Sequence, residues 1–134
     1  MKSINKEVLC NFYRAFSDPD NYPAEKVAED FFARDFTMIT NGKRLDWSQF
    51  REHMKFIRAQ MNLAISIEHF ILKNEYIYDM HSAFGFNKKR EPIHLRYIAK
   101  TFFNTEHEKI SKIESMSFPI YGDMSHIDIS TNFI

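Results

Sequence analysis

The sequence predicts an α+β fold: a cone-shaped roll in which one curved antiparallel sheet packs under three N-terminal helices. Two observations lead there. Four long strand-like runs, 63–73, 75–86, 93–104 and 109–120, follow one another with only short polar breaks. Ahead of them lie three stretches of helical spacing, the second and third flanking a short strand-like pair. Strands segregated from helices along a chain place the helices on one face of an antiparallel sheet. A long curved sheet covered by helices makes a cone, and the hollow of a cone is a pocket. At 134 residues the chain suits one domain with a sizeable core, taken as 1–120, with 121–134 as a C-terminal tail.

Each element has its own signal. Ser3 is a candidate N-cap for a first helix whose apolar positions Val8, Leu9, Phe12, Ala15 and Phe16 recur at helical spacing. Pro19 ends it, because a proline cannot continue a helix and biases Asp18 away from the helical region. Pro23 opens the second helix, which carries Val27, Ala28, Phe31 and Phe32 on one face. A short strand over 36–40 meets Asn41-Gly42, a strong hairpin turn signal, and 43–45 returns. Asp46 or Ser48 caps the third helix, with Trp47, Phe50, Met54, Ile57 and Met61 in one stripe. Asn74-Glu75, the loop before Pro92 and the polar run 105–108 separate the long strands. The tail has no clear period.

Composition narrows the function classes. Lys+Arg 18 against Asp+Glu 18 gives no net charge, and nothing suggests a nucleic-acid footprint, which needs clustered basic charge. Lys88-Lys89-Arg90 reads as a solvated hairpin turn. The single cysteine, Cys10, forms no intrachain disulfide and reads as a small buried thiol. No stretch resembles a secretory leader, and no apolar run approaches the ~20 residues of a membrane span. The expected setting is the cytoplasm, away from membranes. The six histidines show no short ligand spacing, so neither a metal nor another cofactor is expected.

Several stretches resemble the nuclear transport factor 2-like superfamily, in particular its SnoaL-like and ketosteroid-isomerase-like branch. The segment from Phe12 to Ser17 and the acidic turn after it resemble that branch's first-helix exit. Phe31-Phe32-Ala33-Arg34-Asp35-Phe36 resembles the approach to its first strand. Phe103-Asn104 through Lys109-Ile110 resembles its last hairpin, without the usual glycine. The resemblance covers roughly residues 4–120. It implies a cone with a pocket between sheet and helices, and commonly a homodimer. Steroid isomerases of that branch use an Asp after the first strand, a Tyr on the first helix and a protonated Asp on the third long strand. The matching positions here are Thr40, Phe12 (with Tyr13 one residue off) and Ala99. That proton transfer needs a base, a phenol and a buried acid, so steroid isomerisation is not expected.

With the parity that the resemblance implies, strand alternation assigns the concave face. It takes Ile65, Ile67, His69 and Ile71 from the first long strand, and Tyr78, Met80, Ser82 and Phe84 from the second. The third strand supplies Leu95, Tyr97, Ala99, Thr101 and Phe103, and the fourth Ile113, Ser115 and Ser117. The candidate ligand-binding set is therefore Phe12, Thr40, His69, Tyr78, Met80, Phe84, Tyr97, Thr101 and Ser115. His69 is the one catalytic candidate; His53 lies at the edge of the third helix's stripe, toward either the pocket mouth or solvent. Asp79, His81, Phe70, Leu72, Ile98, Phe102, Met116 and Phe118 fall on the convex face. An apolar lining with a few hydroxyls suits a small apolar or aromatic ligand. The favoured function is a SnoaL-like small-molecule-binding domain without catalysis, since no carboxylate stands at an aligned pocket position. The alternative is a cyclase, hydrolase or isomerase using His69 with Tyr78, Tyr97 or Thr40. The apolar convex face calls for a cover, and a two-fold homodimer supplies one.

Overall fold

The computed structural model describes residues 2–104 and 108–122. Helices α1 (Lys2–Phe16), α2 (Ala24–Phe31) and α3 (Trp47–Gln60) alternate with a short hairpin, β1 (Phe32–Thr40) and β2 (Lys43–Asp46). The long strands β3 (Asn62–Leu72), β4 (Tyr76–Phe86), β5 (Pro92–Asn104) and β6 (Lys109–Tyr121) follow. They form one curved, unclosed sheet in the order β2-β1-β6-β5-β4-β3. The expected α+β cone under three helices is the architecture found. One pairing departs from expectation: β1 lies parallel to β6, so the sheet is mixed. Of the tail 121–134, only Tyr121 and Gly122 lie within the described residues, and most of the turn 105–108 lies outside them too.

Local chemistry accounts for the boundaries. Asp46 caps α3 by accepting from Gln49 N at 2.8 Å, while the Gln49 side chain accepts from Asp46 N at 3.0 Å, a reciprocal capping box. Asn41 and Gly42 both take positive φ, 53° and 81°, as the tight turn between β1 and β2 requires. Arg58 locks the end of α1 to α3, its Nη2 donating to Ala15 O at 2.7 Å and Phe16 O at 2.9 Å. Ser17 Oγ accepts from Ile65 N at 2.9 Å and so ties the same corner to β3.

The core sits between the helices and the inner face of the sheet. Phe12, Phe32, Phe36 and Phe50 form a ring cluster, with Phe32 within 4.7–4.8 Å of the other three centroids. Trp47 closes it against α2, its Nε1 donating to Ala28 O at 3.2 Å. At the far end of the sheet Gly85 permits β3 to come close: a Cβ there would lie 1.4 Å from Asn62 O.

A β-bulge in β3 overturns part of the expected alternation. Ile67 pairs with His81 and His69 with Met80, so Glu68 is the extra residue. Beyond it the faces exchange. Phe70 and Leu72 turn inward onto the core, and Lys6 of α1 lies 4.6 Å from the Phe70 ring centroid. His69 and Ile71 turn outward and are exposed. Strand β4 also carries the opposite parity to the expected one, with Ile77, Asp79, His81 and Ala83 buried inside. Tyr78, Met80 and Phe84 lie on the outer face; Tyr78 and Phe84 are 36% and 41% exposed. On β5 and β6 the expected parity is the one found. Cys10 is half-buried on α1 rather than enclosed.

Candidate functional site

A cavity of ≈ 90 Å³ opens between α1, α3 and the inner face of the sheet. Helix α1 contributes Phe12, Tyr13 and Phe16, and α3 contributes Phe50, His53, Met54 and Ile57. The sheet adds Thr40, His81, Tyr97 and Ser115 among apolar neighbours such as Ile65 and Ala83. Four of the expected site residues thus line it: Phe12, Thr40, Tyr97 and Ser115. Thr101 is buried on the same face without reaching the cavity wall. His69, Tyr78, Met80 and Phe84 are not in it, because the bulge and the parity of β4 put them outside. His53, whose direction the helical stripe left open, is buried and lines the cavity.

The polar centre of this cavity is a cluster absent from the expected set. Tyr13 Oη donates to Asp79 Oδ2 at 2.8 Å. His81 Nδ1 lies 3.2 Å from Asp79 Oδ1 and 3.2 Å from Tyr13 Oη. Asp79 is 0% exposed, so its carboxylate depends on these two partners in place of water. Against an ionised carboxylate the imidazole takes the tautomer with the proton on Nδ1. Its Nδ1 edge is then engaged, and Nε2 is the nitrogen available to a molecule in the cavity. The ring is held in place by stacking on Tyr97, centroids 4.9 Å apart and planes at 9°, and by Tyr13 at 4.6 Å.

Burial pushes the Tyr13 phenol well above its ordinary pKa, and the neighbouring Asp79 charge pushes it further. Burial alone raises Tyr97 to about 12. Both phenols therefore stay protonated and act as donors. A second polar pair, Thr40 Oγ1 and Ser115 Oγ at 2.8 Å, sits on the β1/β6 side. Ser115 pairs with Ala99, and Ala99 with Asp79. Two strand spacings, ~10 Å, therefore separate the hydroxyl pair from the Asp79 backbone.

Asp79, a carboxylate outside the expected set, lies on β4 directly beside Ala99 on β5, behind Tyr13 and His81 and not in the cavity wall itself. Sequence reasoning missed it because the parity taken from the resemblance put Tyr78, Met80, Ser82 and Phe84 on the inner face of β4 and Asp79 on the outer one. The available signal was the polar triad itself, Asp79 and His81 two apart on a strand, where both share a face. Ser82 also forms contacts outside the cavity, 2.8 Å from His94 Nε2 and donating to Glu68, but it is fully enclosed. Among the described residues, no three His, Cys, Asp or Glu side chains are placed to share a metal ion. Among them, too, no helix is long and apolar enough to cross a membrane.

No family model and no curated protein matches the sequence. Solved structures do match the fold. A candidate SnoaL-like polyketide cyclase from Jannaschia sp. CCS1 superposes with a TM-score of 0.74 at 8% identity, covering 87% of each chain. PrhC from Penicillium brasilianum gives 0.75 at 10% identity, over 87% of this chain and 82% of that one. IdmH from Streptomyces antibioticus, a candidate polyketide cyclase, gives 0.72 at 11% identity, over 84% and 91%.

Proposed function

We propose that this chain, whose fold is that of the SnoaL-like, nuclear transport factor 2-like superfamily, binds a small, largely apolar molecule and exchanges a proton with it through His81. The observation that carries the reading is the enclosed Tyr13–Asp79–His81 cluster at a largely apolar cavity. A buried carboxylate is costly to keep, and one held against an imidazole, beside two phenols whose pKa values burial raises, favours a working site. The chemistry supported is proton transfer beside a carbonyl, within the cyclase, hydrolase or isomerase class. His81 Nε2 takes the proton from carbon, Asp79 stabilises the imidazolium, and the proton returns to the product at a different atom. Thr40 and Ser115 supply hydroxyls for the oxygen on which charge develops. At ≈ 90 Å³ the cavity is smaller than the roughly 300–1,000 Å³ of drug-sized sites, which favours a flat molecule of one or two rings.

The test combines binding with solvent deuterium exchange at the carbon beside the carbonyl, using a panel of small aromatic and polyketide-like ketones. The wild type is expected to accelerate exchange, and His81→Gln to lose about 10²–10⁴-fold while still binding. Binding with exchange no faster than buffer would leave a non-catalytic binding module. Failure of every apolar ketone to bind would remove both readings.

Two wider features complete the proposal. The outer face of the sheet exposes Tyr78, Phe84, Met116 and Phe118, a patch suited to cover by a second copy around a two-fold axis. A reducing, cytoplasmic setting suits the one unbridged thiol, Cys10.

A further inference from the structure

Two grooves neighbour the cavity, the first sharing wall residues with it and the second sharing them with the first. Phe16, Ile57 and Leu63 belong both to the cavity wall and to a groove holding Asp18, Asp20 and Arg58. Arg58, Met61 and Asn62 lead on to a second groove, completed by Phe86, Lys88 and Arg90. The surface thus passes from apolar cavity to Arg58 to a cationic turn.

The charges of that turn are left open to a ligand. Its one carboxylate, Glu91, is held by Asn87 Nδ2 at 2.9 Å. Asn87 Oδ1 accepts from the backbone N–H of Lys89 and Glu91, which fixes the turn, and Arg90 sits at a φ of 62°. Arg58 spends its Nη groups on the carbonyls of Ala15, Phe16 and Tyr22. Those bonds hold the guanidinium in position without neutralising it, and none of the described ion pairs involves Arg58, Lys88, Lys89 or Arg90. The first groove has Asp18 and Asp20 beside Arg58, whereas the second carries cations only, so the second is the seat for an anion.

We infer that the molecule taken by the cavity carries an anionic tail, a carboxylate or a phosphate, received between Arg58 and the Lys88–Arg90 turn. This inference rests on the cavity's being a binding site. It goes beyond it in making the substrate amphipathic: an apolar head for His81 and a charged end outside. Ala83 lines the cavity and Lys88 follows five residues later, which sets a reach of up to ~16 Å along β4. That is the length of a medium acyl chain or a pantetheine arm.

The experiment titrates the intact protein with 1-octanol, octanoate and octanoyl-phosphopantetheine by calorimetry, at low and high salt. Octanoate is expected to bind about tenfold more tightly than octanol at low salt, and the advantage should shrink at high salt. Lys88→Glu with Arg90→Glu should abolish that preference and leave octanol within about twofold. Lys88→Glu with Lys89→Glu, which spares the positive-φ residue, should weaken it in the same direction. Tighter binding of the phosphopantetheine ester than of octanoate assigns the seat to phosphate, and the reverse order assigns it to carboxylate. If octanol and octanoate bind alike, or both double variants keep the preference, the anion seat is wrong and the cavity reading survives. If none of the three binds although the ring ketones do, the inference falls and the cavity reading stands; if the ketones fail as well, both fall.

Discussion

Tyr13, Asp79 and His81 form one unit, because each satisfies a buried polar atom of another. Removing any member leaves a desolvated group short of a partner, so the losses will not add. Tyr13→Phe deletes the donor to Asp79 and is expected to cost about 1.5–3 kcal/mol in urea unfolding, the range for bonds to charged groups. Combined with Asp79→Asn, it should cost less than the sum of the two single changes by at least ~0.5 kcal/mol; strict additivity would mean the bond contributes nothing. The same phenols predict a pH response. Tyr13 and Tyr97 have pKa values raised in the folded chain, so their contribution is complete below the unfolded value of about 10. Above that pH the unfolded chain loses these protons first, the folded state holds more of them, and stability falls as pH rises from about 10 toward 12. Tyrosinate absorbance should therefore develop in two stages, with these two phenols ionising only as the protein unfolds. A single early stage accounting for all six tyrosines, with the fold intact, would contradict their burial.

At the scale of the element, one inserted residue in β3 decides which side chains meet. Glu68 lies opposite no residue of β4, and the strand's two halves present opposite parities to the helices. The half before the bulge sends Leu63 and Ile65 inward, and the half after it sends Phe70 and Leu72. Inserting one alanine between His69 and Phe70 would carry Ile71 inward and expel Phe70 and Leu72 to solvent. We expect that insertion to cost about 2–5 kcal/mol, the range for losing large apolar side chains from a core. Glu68→Ala, which keeps the bulge, should cost ~1 kcal/mol or less, since it removes only surface contacts to Arg96 and one bond from Ser82. Equal effects in chemical denaturation would show that the packing of Phe70 and Leu72 does not fix the register.

For the molecule as a whole, the outer sheet face is the feature that a lone chain leaves unresolved. Met116 is 64% exposed and Phe118 39%, with Tyr78 and Phe84 across the same face. The charged residues among them, Lys100, Lys112, Glu114 and Arg96, lie mostly half-buried along the middle strands. Such a mixed surface is what a two-fold interface of this chain would bury. Sedimentation of the wild type at tens of micromolar should give a dimer, and Met116→Lys with Phe84→Lys should give a monomer with an unchanged fold. A monomeric wild type, or a double variant that still dimerises, would place the contact elsewhere or remove it.

The chain's own pattern determined the order and extent of nearly every element. Helical periodicity, two prolines, the Asn41-Gly42 turn and the Asp46 cap act over a few residues and need no partner to be read. The fold class followed from helices preceding a run of long strands. Four of the nine expected pocket residues followed too: Thr40, Tyr97 and Ser115 lie on strands whose parity ran true, and Phe12 lies on a helix face set by its own spacing. What only the tertiary structure decided was the chemistry at the centre of the cavity. The bulge at Glu68 adds one unpaired residue to β3, which strand alternation alone cannot register. The bulge turned His69 outward, and the parity of β4, carried by its pairing with β5, replaced Tyr78, Met80 and Phe84 by Asp79 and His81. Tyr13 became their partner only because α1 crosses that point of the sheet, and no spacing in the sequence joins residue 13 to residue 79.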